Sequence, residues 1–198
     1  MNTVLALSGD TGSRVLRTHS DPDSDSHWCF MHAERAAPIA RRPCFHLLLI
    51  KEIREFQMRL CANIRQQAEA GLAPLLGHVV LASDAPVFNL GGDLAMFVQT
   101  ILRKDRDTLR HYGHICVDNM FRRVVGYNAQ VVTYSLVQGK AFGGGFECAL
   151  ASEFTIAEES ATFSFPEVLF NMFPGMGALS LLGRRIGLKK AEDIIMSG

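Results

Sequence analysis

No stretch of this chain approaches the ~20 apolar residues that a helix needs to cross a bilayer, and its start, MNTVLALSGD, lacks the basic head and long apolar core of a secretory signal. Net charge is absent too. Twenty Lys and Arg balance twenty Asp and Glu, so nothing draws the chain electrostatically to nucleic acid or an anionic membrane. The pairs Arg41-Arg42, Arg122-Arg123, Arg184-Arg185 and Lys189-Lys190 are local, and read as solvated surface ahead of phosphate contacts. Close cysteine pairs are missing. The five cysteines, at 29, 44, 61, 116 and 148, leave one unpaired under any connectivity, which predicts reduced thiols and a cytoplasmic location. Disorder is excluded by composition: 48% of the 198 residues are hydrophobic and 20% charged, enough for one domain with a substantial core.

Several chemistries lack their signatures. There is no GxSxG elbow, and GKAFGGG has neither the phosphate-loop nor the dinucleotide spacing. The acidic run with Asp21, Asp23 and Asp25 has Ser26 where a calcium loop needs glycine, and His32 where it needs a bidentate glutamate. His111 and His114 can share a helix face, but a third metal ligand is not evident. Cys148 reads as small core filler rather than a nucleophile. No metal and no redox cofactor is expected.

What is present alternates between strand and helix. Residues 1–26, rich in Ser, Thr, Asp and Gly, suit a flexible leader or an edge turn; 27–198 is the expected core domain. Leu49, Ile53, Phe56, Leu60 and Ile64 recur at three and four, which predicts an amphipathic helix from about His46 to Ala70. HVVLAS, 78–83, is a short apolar strand. Asp93 caps a helix whose Leu94, Phe97, Val98 and Ile101 share a face, and a second helix runs from about Asp105 to Val125. VVTYSLVQG, 131–139, is a buried strand leading through GGG into a helix to about Ala151; FTIAEE and 161–165 are strands again. The alternation predicts an α/β domain with a mostly parallel, doubly covered sheet, and ligands at the carboxyl ends of its strands.

Two glycine turns fall at such ends: FNLGGDL, 88–94, and GKAFGGGFE, 139–147. Backbone N–H groups at a glycine turn or helix head can meet the oxyanion that forms when an acyl thioester is deprotonated or attacked. Gly144 opens a helix, so its N–H lacks an intrahelical partner; Leu90, before Gly91-Gly92, is the matching candidate. The bland alternative is that these glycines only permit tight turns. Glu147, in the first turn after Gly144, and Glu167, after Pro166 in an extended segment, are the candidate acids. Adding or removing water beside an activated carbonyl needs one group to manage water and another the α-proton, and the two glutamates can divide these roles either way.

These motifs together, with IAEESATFSFPEVLFNMFPGMGA and GRRIGLKKAEDIIMSG, resemble the crotonase (enoyl-CoA hydratase/isomerase) superfamily from about His46 to the end. The resemblance implies a spiral of ββα units, with the C-terminal helical region apparently truncated. It implies oxyanion-hole donors at Leu90 and Gly144, catalytic Glu147 and Glu167, and substrate contacts at Gly91, Gly92 and Gly143. Phe97, Val98, Leu169, Phe170 and Met172 are candidate acyl-pocket lining, or core packing. The wording FNLGGDL, GGGFE and PEVLF, with WCFMHAERAAPIARRPCF upstream, is similar to bacterial diffusible-signal-factor synthases; ordinary hydratases more often show AGAD and a Lys-Pro where this chain has LGGD and Val131-Val132. That likeness implies dehydration of a 3-hydroxyacyl thioester to a cis-2-enoyl group and release of the free acid. The carrier would be acyl carrier protein or CoA, and the assembly a homotrimer or dimer of trimers, with a regulatory protein as a further partner. The alternatives are a plain enoyl-CoA hydratase of fatty-acid oxidation and a catalytically silent binding member of the fold.

Overall fold

The structure, a computed structural model, describes residues 15–33, 42–71 and 77–198. Its main sheet has five strands in the order β1 (Leu16–Asp21), β2 (Ser26–Met31), β3 (Gly77–Ser83), β4 (Val131–Val137), β6 (Phe154–Ala157). Only β1 and β2 are antiparallel; the later pairs are parallel. A second, small sheet pairs β5 (Lys140–Phe142) with β7 (Thr162–Ser164), also in parallel. Each later unit therefore runs from a main strand to a short strand of the second sheet and then to a helical turn.

The helices follow from the patterns that predict them. In α1 (Leu47–Glu69) the three-and-four repeat buries Leu49, Ile53, Phe56 and Leu60. α2 (Leu94–Leu102) is capped by Asp93, whose Oδ1 accepts the Met96 N–H, and α3 (Arg106–Val124) by Asp105, which accepts from Thr108. α4 (Gly144–Leu150) follows the GGG turn, and α5 (Ala178–Ile186) and α6 (Leu188–Ser197) close the described chain as a hairpin. One core joins the inner face of the sheet, Cys29, Met31, Val79, Leu81 and Val137, to α1 and α3. Burial on this scale supplies the main favourable term of folding.

Three expectations are corrected. Residues 15–26 are not leader: Val15 and Leu16 are core, β1 pairs with β2, and Asp21 closes the turn between them by accepting from Ser24 Oγ at 2.7 Å. The edge-turn alternative holds for 22–25, and residues 1–14 lie outside the described residues. The sheet is not covered equally on both faces, since Phe154 and Ile156 on the outer side of β6 are exposed and Tyr134 stacks on Phe154 across the strands. Arg123 is no solvated surface cation. It is buried, with Nε donating to Ser152 Oγ at 2.8 Å and Nη1 to Tyr127 Oη at 3.1 Å. Arg185 is likewise occupied, donating to the Leu150 and Ser152 carbonyls past the end of α4, and Arg41 lies outside the described residues.

Candidate active site

The second sheet brings the two glycine turns together. Asn89 bridges in parallel to Ala141 of β5, so the chain entering FNLGGDL runs beside the chain entering GGGFE. Gly91 (φ +84) sits so close that a Cβ there would stand 2.8 Å from the Phe142 carbonyl oxygen and 3.2 Å from Gly144 N. Only glycine permits that approach in that conformation. Gly143, at φ +51, is the N-cap of α4 and places Gly144 as its first residue.

Glu147 follows one turn later and is enclosed, 1% exposed. Its Oε1 accepts the Met176 N–H at 2.8 Å and the Ala178 N–H at 3.0 Å. Those donors open α5, whose N-cap Gly177 has no side chain to cap it, so Glu147 serves as the missing cap. Burial nevertheless dominates its acidity: the carboxyl is pushed up to about 7, the N–H groups pulling against burial and Glu167 adding to it. A group near neutrality can both hold and yield a proton.

Glu167 reaches the same place from the other side. The expected extended segment is instead a single 3₁₀ turn, Pro166–Phe170, with Pro166 at its first position, where a missing N–H costs nothing. The turn lays the Glu167 carboxylate over Gly143, where any Cβ would overlap it. Burial raises its acidity range as well, and the Gly144 N–H facing it offsets part of that rise. Glu167 Oε2 is buried without a hydrogen-bond partner among the described residues. Two carboxyls, both raised by burial, thus flank the head of α4, the arrangement expected where proton transfer is carried out.

The two candidate oxyanion donors are not equally placed. Gly144 N–H faces the Glu167 carboxyl and pulls its acidity back toward the ordinary range. Leu90 N–H is committed, donating to the Pro43 carbonyl at 2.8 Å, and Gly91 N–H donates to Asn89 Oδ1 at 2.8 Å. A ligand oxygen reaches Leu90 only by displacing Pro43. Gly92 lies under the Phe97 ring, which meets Tyr112 edge-on at 5.1 Å. Val98, Leu169, Phe170 and Met172 are exposed. Phe45 and Met176 cover Gly144 instead, and both also line a narrow core cavity with Ile50, Phe56, Cys116 and Met120. His111 and His114 stand exposed on α3, and Cys148 is buried in the core.

Sequence reasoning missed Met176, Ala178, Pro43 and Asn89. The signal for the first two was available, because GMGA opens a helix without Ser, Thr, Asp or Asn and so needs an anion from elsewhere.

The profile of the enoyl-CoA hydratase/isomerase family matches residues 63–198. Over 128 residues the chain is 34% identical to a probable enoyl-CoA hydratase of Rhizobium meliloti, covering 62% of this chain and 44% of that protein. Over 149 residues it is 28% identical to the fatty acid oxidation complex subunit alpha of Pseudomonas putida, covering 75% of this chain and 20% of that one. The chain thus spans less than half the length of these curated relatives. Pseudomonas aeruginosa DspI superposes with a TM-score of 0.74 at 20% identity, covering 96% of this chain and 68% of that one. An enoyl-CoA hydratase of Bacillus anthracis does so with 0.73 at 21% identity, over 92% and 62%. At these identities the superpositions establish a shared fold. Among the described residues no helix is long and apolar enough to cross a membrane.

Proposed function

Since this chain belongs to the enoyl-CoA hydratase/isomerase family, we propose that it acts on acyl thioesters, dehydrating a 3-hydroxyacyl group to a cis-2-enoyl group and then hydrolysing the thioester to a free unsaturated acid. The observation that carries the reading is the pair of buried carboxyls at the head of α4, Glu167 beside the Gly144 N–H and Glu147 near enough to Glu167 for its acidity to feel that charge. The unpaired carboxylate oxygen of Glu167 takes the α-proton, and the C–H electron pair passes into an enolate whose oxygen Gly144 N–H holds. Collapse of the enolate forms the Cα–Cβ double bond and expels the hydroxyl, to which Glu147 gives its proton, so that water leaves. In the second stage a water deprotonated by the same pair attacks the carbonyl carbon, and the tetrahedral oxyanion returns to the Gly144 N–H. The thiolate departs and is protonated.

The resting contacts shape the first step. The substrate carbonyl oxygen settles at the Gly144 N–H, beside the Glu167 carboxylate whose unpaired oxygen takes the α-proton. Leu90 N–H joins as the second donor once the Pro43 carbonyl yields. No metal or redox cofactor enters these steps. The acyl group arrives on acyl carrier protein or CoA, and the assembly is a homotrimer or dimer of trimers, for which exposed Val98, Ile101 and Phe121 offer apolar surface. The signal-synthase assignment rests on the wording of FNLGGDL and PEVLF; location in the cytoplasm and a regulatory protein partner belong to the same reading.

The test is incubation with a long 3-hydroxyacyl carrier-protein thioester and mass spectrometry of the lipid released. Free cis-2-enoic acid supports the proposal. The likeness to the Rhizobium protein favours a second reading, enoyl-CoA hydration alone. Brisk hydration of crotonyl-CoA with no free acid from the carrier-protein substrate would establish that reading and remove the thioesterase step. No turnover of either thioester would leave only a silent member of the fold.

A further inference from the structure

Behind the first glycine turn lies a chain of buried polar groups that the steps above do not use. Asn89 is wholly enclosed, at 0% exposure. Its Oδ1 accepts the Gly91 N–H at 2.8 Å, and its Nδ2 lies 3.1 Å from His32 Nε2. Because a backbone N–H can only donate, the amide orientation is fixed, with Nδ2–H turned to the histidine. His32 must then offer a lone pair at Nε2 and carry its proton on Nδ1. Burial, with His46 nearby, lowers His32 to about 4, so the ring is neutral at pH 7 and the chain of donors and acceptors is complete. It reads His32, Asn89, Gly91 N–H.

The backbone of the same residue binds the other turn. Asn89 N–H donates to the Lys140 carbonyl at 3.1 Å and the Asn89 carbonyl accepts the Phe142 N–H at 3.0 Å. A Cβ on Gly145 would overlap that carbonyl, so the head of α4 packs directly on it. One residue therefore fixes the first turn internally and sets its distance from Gly144. An apolar side chain here would leave the buried Gly91 N–H without an acceptor and the turn without a reason to hold one geometry.

We propose that Asn89 is a positioning residue for the oxyanion site, its amide locking the Leu90–Gly92 turn against His32 while its backbone sets that turn's spacing from the Gly144 N–H. The proposal rests on the thioester reading, and the probe separates the two. Cinnamoyl-CoA absorbs further to the red when its thioester carbonyl accepts strong hydrogen bonds, so its bound spectrum reports donor placement without turnover. Wild type is expected to shift the band. Asn89→Ala should bind the probe within about threefold yet lose most of the shift, and lower kcat on the 3-hydroxyacyl thioester about a hundredfold, the cost of an ångström-scale displacement. His32→Ala should lose part of the shift, because the amide loses the partner that braces its Nδ2 while Oδ1 still accepts the Gly91 N–H, and the double variant should match Asn89→Ala alone, since both act through one chain. A shift and kcat unchanged in Asn89→Ala overturn the role given to Asn89. If Asn89→Ala does not fold, an unchanged shift in His32→Ala overturns it. A wild-type protein that binds the probe with no shift overturns the oxyanion reading itself, and this inference with it.

Discussion

Replacing Glu147 by glutamine should make the protein more stable at alkaline pH while removing its catalysis. Glutamine keeps an oxygen for the Met176 and Ala178 N–H groups, so the cap on α5 survives, but it cannot ionise. In wild type, burial moves the carboxyl from an ordinary 4.5 to about 7, so the fold prefers the proton that the unfolded chain releases. The raised value means that the stabilising protonated state is complete below about pH 4.5 and is lost as pH climbs through 7. At about 1.36 kcal/mol per tenfold change in acidity, ionising Glu147 inside the fold costs about 3 kcal/mol at pH 8. For a chain of this length that corresponds to a gap in Tm of about 5–10 °C in favour of Glu147→Gln at pH 8, closing toward zero by pH 4. Thermal unfolding of both proteins across this range, with turnover of a 3-hydroxyacyl thioester measured alongside, is the assay. A Tm gap that does not change with pH would refute the reasoning, since the carboxyl would then not be held protonated by its surroundings. Surviving turnover in the variant would remove Glu147 from the chemistry whatever its effect on stability.

Glu167→Gln should lower turnover by about a hundredfold or more while moving Tm little, because its partly buried carboxylate caps no helix and has one oxygen unpaired; steady-state kinetics and a melting curve check this. Gly143→Ala forces a side chain into φ +51 and into the Glu167 carboxylate, which predicts a loss of at least about 1 kcal/mol in urea unfolding together with impaired kcat. Gly145→Ala meets the Asn89 backbone rather than a movable side chain, so soluble yield and Tm should fall. Arg123→Met removes the buried donors that serve Ser152 Oγ, Tyr127 Oη and the Tyr134 carbonyl and should cost about 2 kcal/mol, read by urea unfolding.

The elements that proved legible are those decided by local pattern. The three-and-four repeat from Leu49 to Ile64 and the capping residues Asp93 and Asp105 needed nothing beyond their own segments, and the structure has helices there. β1 was not legible because its alternation is weak: it is an edge strand, and only its pairing with β2 and the burial of Val15 and Leu16 against the core declare it. The turn at Pro166 has the same origin. Proline fixes its own φ, which suits the first position of a 3₁₀ turn as well as an extended chain, and the choice was made by the packing of Glu167 over Gly143.

At the site the sequence reveals chemical capacity and conceals commitments. Glycine spacing shows where backbone N–H groups can point outward, but every such group in a closed structure finds some acceptor, and which one is a long-range fact. Leu90 N–H donates to Pro43, 47 positions earlier in the chain, and Gly144 N–H faces the carboxyl of Glu167, 23 positions later. Neither meeting is written in the turn itself. The two acceptors differ in a way that matters for binding. Glu167 is a side chain that rotates aside at small cost, whereas the Pro43 carbonyl belongs to a segment also tied by Phe45 N–H to the Gly91 carbonyl at 2.7 Å and by Tyr112 Oη to the Phe45 carbonyl at 2.5 Å. Releasing Leu90 therefore moves backbone. Amide exchange makes the difference measurable: a non-hydrolysable thioether analogue of the acyl thioester, which keeps the carbonyl, should slow exchange at Gly144. It should also change protection at Phe45 and Leu90 together, because the segment moves as one. Protection changing at Leu90 with Phe45 untouched would mean that the Pro43 carbonyl swings alone and that the segment before α1 is not part of the response to ligand.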